Sequence, residues 1–224
     1  MKQLIFILIA LILFGCSGHP TISPKPLRKG ESYKALTFSA ETGVPIYTYR
    51  LGLTNMTDIG IRFGLPLYGS GVDISRILTY TKNKYQMLNL SYTFSLNPNL
   101  EATYYNVKSQ RMLTGLITYW GLRASYIPKG VSGGESTRVG ILIGYYRQGS
   151  WGYELGYFHD FASMPLEEVF NIEPYEPSGG GYNLEHTSFN IPNERHRFTG
   201  LSFRINIPIG EKKVSIRKST KKTP

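Results

Sequence analysis

The run Tyr47-Thr48-Tyr49-Arg50-Leu51-Gly52-Leu53-Thr54-Asn55-Met56-Thr57-Asp58-Ile59-Gly60-Ile61-Arg62-Phe63-Gly64-Leu65 decides the fold. Before the polar turn at residues 55–57, Tyr47, Tyr49, Leu51 and Leu53 share one parity, and Thr48, Arg50 and Gly52 share the other. After it, Ile59, Ile61, Phe63 and Leu65 alternate with Gly60, Arg62 and Gly64. A side-chain period of two is the mark of a strand, because successive Cβ atoms point to opposite faces. Two such runs around a short turn make a hairpin.

Working outward, the same alternation returns along the chain. Leu88, Leu90, Tyr92, Phe94 and Leu96 oppose Asn89, Ser91 and Thr93; Val139, Ile141, Ile143 and Tyr145 oppose Arg138, Gly140 and Gly144. Trp151, Tyr153, Leu155 and Tyr157 oppose Gly152, Glu154 and Gly156. Strands are expected at 35–41, 46–54, 58–66, 71–80, 85–96, 100–107, 113–127, 137–147, 151–161 and 197–209. The reading is an all-β, antiparallel up-and-down transmembrane β-barrel of about ten strands, with eight as the fallback.

One face of nearly every strand is apolar with aromatic ends, and the other carries Gly, Ser, Thr and Arg. That arrangement suits a lipid-facing wall around a polar lumen. A water-facing sheet surface normally carries Lys and Glu, whereas here it carries Arg50, Arg62, Arg123, Arg138 and Arg204 with Asp73, Glu101 and Glu154. Arg holds carboxylates in a bidentate fork, so these eight residues are expected to form a charge network inside the lumen. The competing arrangement turns the apolar faces inward, as a periplasmic, lipid-anchored β-barrel binding an apolar ligand.

The stretch Tyr49-Arg50-Leu51-Gly52-Leu53-Thr54-Asn55-Met56-Thr57-Asp58-Ile59-Gly60 resembles the recurring strand, turn, acidic residue and strand of bacterial outer-membrane β-barrel proteins. A second copy stands at Ser95-Leu96-Asn97-Pro98-Asn99-Leu100-Glu101-Ala102. The motif marks hairpins and not an activity. The resemblance implies both turns on the same side of the membrane, which conflicts with the three strands that the ten-strand count puts between them. Such barrels often end on an aromatic residue, whereas this chain runs past Ile209 into a basic stretch.

The amino terminus adds an address. Lys2 flanks an unbroken apolar run at residues 4–14, which ends at Gly15-Cys16. About eleven residues are too few for a bilayer-spanning helix but match the core of a secretory signal. Leu13-Phe14-Gly15-Cys16 resembles the bacterial lipobox, which implies removal of residues 1–15 and acylation of Cys16, the single cysteine of the chain. Each buried CH₂ of an acyl chain contributes about 0.8 kcal/mol, so several chains hold firmly. Ser17 in place of Asp leans towards the outer membrane. Residues 16–34, with Pro20, Pro24, Pro26 and Gly30, read as an extended tether before a barrel at 35–209 and a basic, disordered tail at 210–224.

Composition agrees with this division. Tyr (17), Gly (24) and a low charged fraction of 18 % favour strands with aromatic girdles and tight turns. The net charge of +10 does not argue for nucleic acid, because Lys212, Lys213, Arg217, Lys218, Lys221 and Lys222 lie in the tail of an exported chain. The expected partner is membrane lipid, with any small solute or ligand unidentified.

Candidate chemistry is thin. The segment 163–194 gathers Glu167, Glu168, Glu173, Glu176, Glu185 and Glu194 without a Lys or Arg, but in no cation-loop spacing, and reads as a solvated outer loop. Lipid A-modifying enzymes share the barrel architecture and use His with Ser and a carboxylate near the outer rim. His159, Asp160 and Ser163 are the nearest equivalents, yet His159 and Asp160 point to opposite strand faces. His186 and His196 offer no metal spacing. No catalytic residue, metal or cofactor is assigned. The expected function is a porin-like narrow channel or a structural or surface protein of the outer membrane.

Overall fold

The computed structural model describes residues 19–39, 45–64, 69–81, 83–94, 98–110, 115–128, 136–147, 149–161 and 201–210. Ten strands form: β1 (Ser32–Ser39), β2 (Pro45–Gly52), β3 (Thr57–Gly64), β4 (Gly71–Thr81), β5 (Lys84–Thr93), β6 (Asn99–Gln110), β7 (Leu116–Ile127), β8 (Ser136–Arg147), β9 (Gly152–Asp160) and β10 (Leu201–Pro208). Each pairs antiparallel with its neighbour in sequence, and β10 pairs with β1, so the sheet closes into a barrel. The ten-strand expectation holds, and the eight-strand fallback is set aside.

Closure removes every sheet edge, which satisfies backbone donors and acceptors without help from solvent. The seam is short: β1 and β10 are in register from Ala35↔Pro208 to Ser39↔Arg204. By contrast β7 and β8 run from Leu116↔Arg147 to Ile127↔Ser136.

The barrel has two unlike ends. At the terminal end, where β1 begins and β10 finishes, the connections are residues 53–56, 82–83, 111–115 and 148–151. The last is a tight turn in which Ser150 N donates to Arg147 O at 2.8 Å and Gly149 takes a φ of 69°. At the loop end the connections are 40–44, 65–70, 94–98, 128–135 and 161–200. The longest connection, 161–200, and the tight turn at 148–151 thus lie at opposite ends. The two turn motifs do not share an end: 53–56 lies at the terminal end and 94–98 at the loop end. Gly, Asn and Pro serve the φ/ψ needs of a tight turn wherever it occurs, so they carry no information about which end it closes.

The alternation fixes which face is which. Outward positions include Phe63, Ile74, Leu90, Leu100, Trp120, Ile141, Ile143 and Leu155, and all are exposed. Inward positions include Arg50, Arg62, Arg123 and Arg204, each at most 2 % exposed. The apolar face is therefore outside and the charged face inside. The competing arrangement, with apolar faces inward around an apolar ligand, is overturned, because the parity that carries Ile and Leu faces away from the lumen.

A further correction concerns the start of the chain. β1 begins at Ser32 rather than at residue 35, and the preceding stretch is not an external tether. His19, Pro20, Thr21, Ile22, Ser23, Pro24 and Leu27 are buried within the barrel. Leu27 packs with Tyr33 and Ala35 at the terminal end. There Gly30 N donates to Gly52 O at 2.8 Å and Gly52 N to Glu31 O at 2.9 Å, and the chain then turns back into β1. The signal segment with Cys16, the acidic stretch 163–194 and residues 211–224 lie outside the described residues.

Candidate functional site

The site is the lumen, and the register of the strands builds it. One cross-strand row of inward residues reads Arg50, Gly60, Asp73, Ser91, Glu101, Ser125 and Arg138. Another reads Arg204, Glu154, Gly144, Tyr119 and Val107. In both rows a glycine stands beside large side chains. A Cβ on Gly60 would lie 2.5 Å from Asp73 Oδ2, and one on Gly144 would lie 1.9 Å from Tyr119 Cζ. These glycines leave the space that their neighbours fill.

Three ion-paired groups follow. Arg50 Nη1 donates to Asp73 Oδ1 at 2.5 Å, and its Nε donates to Asp58 Oδ1 at 2.9 Å. Its Nη2 reaches Ser75 Oγ at 2.6 Å, and Asn89 Nδ2 bonds Asp73 Oδ1 at 2.7 Å. Arg123 Nε lies 3.0 Å from Glu101 Oε1 and donates to Thr103 Oγ1 at 3.0 Å, and its Nη2 donates to Tyr105 Oη at 3.1 Å. Arg204 pairs with Glu154, which also accepts from Tyr119 Oη at 2.9 Å and lies 3.7 Å from Arg123 Nη2. Arg62 Nη2 donates to Thr93 Oγ1 at 3.0 Å. Burying this many charges without pairing would cost several kcal/mol each, so a paired network is the only stable way to keep them inside.

The buried N-terminal stretch completes the network. His19 Nδ1 pairs with Glu101, and the His19 ring stands 5.3 Å from that of Phe158. Arg204 Nη1 donates to the carbonyls of His19 and Pro20 at 3.2 and 3.1 Å. Arg50 Nη1 donates to Thr21 O at 3.1 Å, and Tyr85 Oη to Pro24 O at 3.2 Å. Thr21 and Thr37 hydroxyls are 2.7 Å apart, and Thr37 Oγ1 donates to Asn206 Oδ1 at 2.9 Å. The lumen thus offers donors to a run of carbonyls. Pro20, Pro24 and Pro26 bring no N–H of their own to satisfy, so a Pro-rich segment suits an interior rich in donors.

Below this layer the interior is apolar. Ile22 packs among Ile77, Tyr85, Met87, Val107, Ile117, Tyr119, Leu142 and Tyr146 on β4 to β8. A residual cavity of ≈ 10 Å³ borders Ile22, Pro24, Tyr33 and Tyr146, about the volume that one water occupies. On the outside, an apolar depression of ≈ 920 Å³ spans β2 to β8. It includes Ala102 and Ala124, which face each other across β6 and β7.

Of the eight predicted lumen residues, seven are buried in these contacts: Arg50, Arg62, Arg123, Arg204, Asp73, Glu101 and Glu154. Arg138 has the inward parity but is only half-buried, in register with Asp160 towards the loop end. His159 is in register with Val139, its Nδ1 is 3.3 Å from Tyr157 Oη, and its ring packs edge-on against Phe161 at 4.8 Å. Ser163 lies outside the described residues. Among the described residues there is no group of three His, Cys, Asp or Glu side chains that could hold a metal ion.

No family model matches the chain. No curated protein and no solved structure matches it significantly either.

Sequence reasoning missed Asp58, His19 and the inward aromatics. Asp58 stands just after the 53–56 turn and reads as part of it. Its parity relative to Gly60 and Arg62 was the available signal. For His19, an Ile22 inside an otherwise polar, Pro-rich stretch was the only hint of a buried partner.

Proposed function

We propose that the chain is a non-enzymatic outer-membrane β-barrel lipoprotein with a closed lumen, acting as a structural or surface protein rather than as an open pore. The observation that carries this reading is the inverted distribution of polarity. Ile141 is 61 % exposed and Ile143 59 %, while Arg50 and Arg62 are wholly buried. In water such a surface would expose a continuous apolar belt, far beyond the few hundred Å² of apolar patch that a monomer usually shows. Against acyl chains the same belt is the stable arrangement, and the Ala102–Ala124 depression would be filled by them. Closure is supported by the paired arginines and by residues 19–27 occupying the lumen.

The test is fractionation of the Cys16→Ser chain with its signal kept. The unlipidated body is expected to stay in the outer membrane, to resist carbonate extraction and to run as a heat-modifiable band. Recovery in the soluble periplasm would end the membrane reading.

A further inference from the structure

The N-terminal segment has a direction inside the lumen. Leu27 sits at the terminal end beside Tyr33, and Pro24 meets Tyr85, the second residue of β5 from that end. Ile22 lies in the apolar cluster of the same half. Thr21 reaches Thr37, the third residue of β1 from the loop end. His19 reaches Glu101, the third residue of β6 from the loop end. Following the chain forward, it descends from the loop end to the terminal end, turns at residues 28–31 and climbs back as β1.

That direction settles where the residues before His19 can go. Glu101 is about 7 Å along β6 from the loop end and roughly 30 Å from the terminal end, at about 3.3 Å per strand residue. Cys16 precedes His19 by three residues, a reach of at most roughly 11 Å. Three residues span the first distance and not the second. A lumen already filled by Arg50, Arg123, Arg204 and the apolar cluster leaves no second path back.

We propose that the polypeptide crosses the membrane once more through its own lumen, so that its N-terminal end emerges at the loop end, opposite the strand termini and the basic tail. Acylated Cys16 then anchors in the leaflet on the loop side. This rests on the membrane reading above and adds a topology to it. The crossing is chemically sustainable because its carbonyls take donors from Arg204, Arg50 and Tyr85, and irregular backbone is tolerated at membrane depth where protein surrounds it. An acylated end cannot be drawn through a packed interior, so the barrel must close around the segment rather than admit it afterwards.

The experiment uses the full chain carrying Thr21→Cys and Thr37→Cys, whose hydroxyls are 2.7 Å apart, so that a disulfide reports the seated segment. One version carries an epitope inserted between Ser17 and Gly18, and another carries it after Pro224. Both are labelled on whole and on opened cells, scoring only the cross-linked, heat-modifiable band. The N-terminal epitope is expected to label whole cells as strongly as opened ones, and the C-terminal epitope only opened cells. Labelling of both epitopes on the same side overturns the inference, as does an N-terminal epitope reached only after opening. Absence of the cross-link in a heat-modifiable, membrane-seated barrel overturns it as well, while leaving the membrane reading intact. Loss of membrane seating in the Cys16→Ser chain would instead remove the reading on which it rests.

Discussion

Glu154 concentrates the logic of the interior in one side chain. It pairs with Arg204, accepts from Tyr119 and lies within reach of Arg123, while Gly144 beside it leaves room for the Tyr119 ring. Glu154→Gln keeps the volume but turns an amide toward two guanidinium groups. Removing one partner of a buried pair costs about 3–5 kcal/mol. The expected result is a folded but less stable barrel, read as a lower urea midpoint for the heat-modifiable band. An unchanged midpoint would show that the arginines are held by other contacts. Seven of the eight lumen charges were legible because each sits between apolar residues whose parity fixes its face. Arg138 shares their parity but is only half-buried, because parity gives a face and not a depth, and it lies close to the loop end. His19 was invisible because a Pro-rich stretch has no period, and only folding reveals which charged group it meets.

At the scale of the strand, β8 shows the outward face most plainly, with Val139, Ile141, Ile143 and Tyr145 all exposed. Ile141 lies near the middle of Ser136–Arg147. Ile141→Arg is expected to cost about 2–4 kcal/mol for a barrel unfolded from lipid vesicles, the penalty for a cation at the bilayer midplane. A water-facing position would tolerate the change to within about 0.5 kcal/mol, so the size of the loss tells the two environments apart. The strands themselves were readable, including those expected at 35–41 and 71–80. The apolar half of the interior was not. Segments such as Ile117-Thr118-Tyr119-Trp120 place large residues on both faces, and in such a run alternation alone does not say that Ile117 and Tyr119 meet a ninth-strand carboxylate and a buried Ile22.

At the scale of the molecule, the strand number and the buried segment explain each other. About eight strands enclose a space that side chains alone can fill, and ten enclose more. Here the added space holds one extended chain. Deleting residues 19–27 is therefore expected to leave a heat-modifiable barrel that conducts ions in planar bilayers, where the intact chain stays closed. Equal and negligible conductance for both would mean that the side chains fill the lumen unaided. The sequence signalled ten strands but gave no reason for ten, because the reason lies in a stretch whose composition suits a linker and a plug equally well.

The seam between β1 and β10 carries a consequence for timing. Thr21 bonds Thr37 of β1, Thr37 bonds Asn206 of β10, and Arg204 of β10 takes the carbonyls of His19 and Pro20. The residues made near the beginning of the chain are thus gripped by those made near its end. Until β10 docks, the first segment has lost its partners from that strand and the seam has no latch. A chain truncated before β10 would leave its N-terminal segment without these partners, and limited proteolysis near Thr21 is expected to report the missing latch.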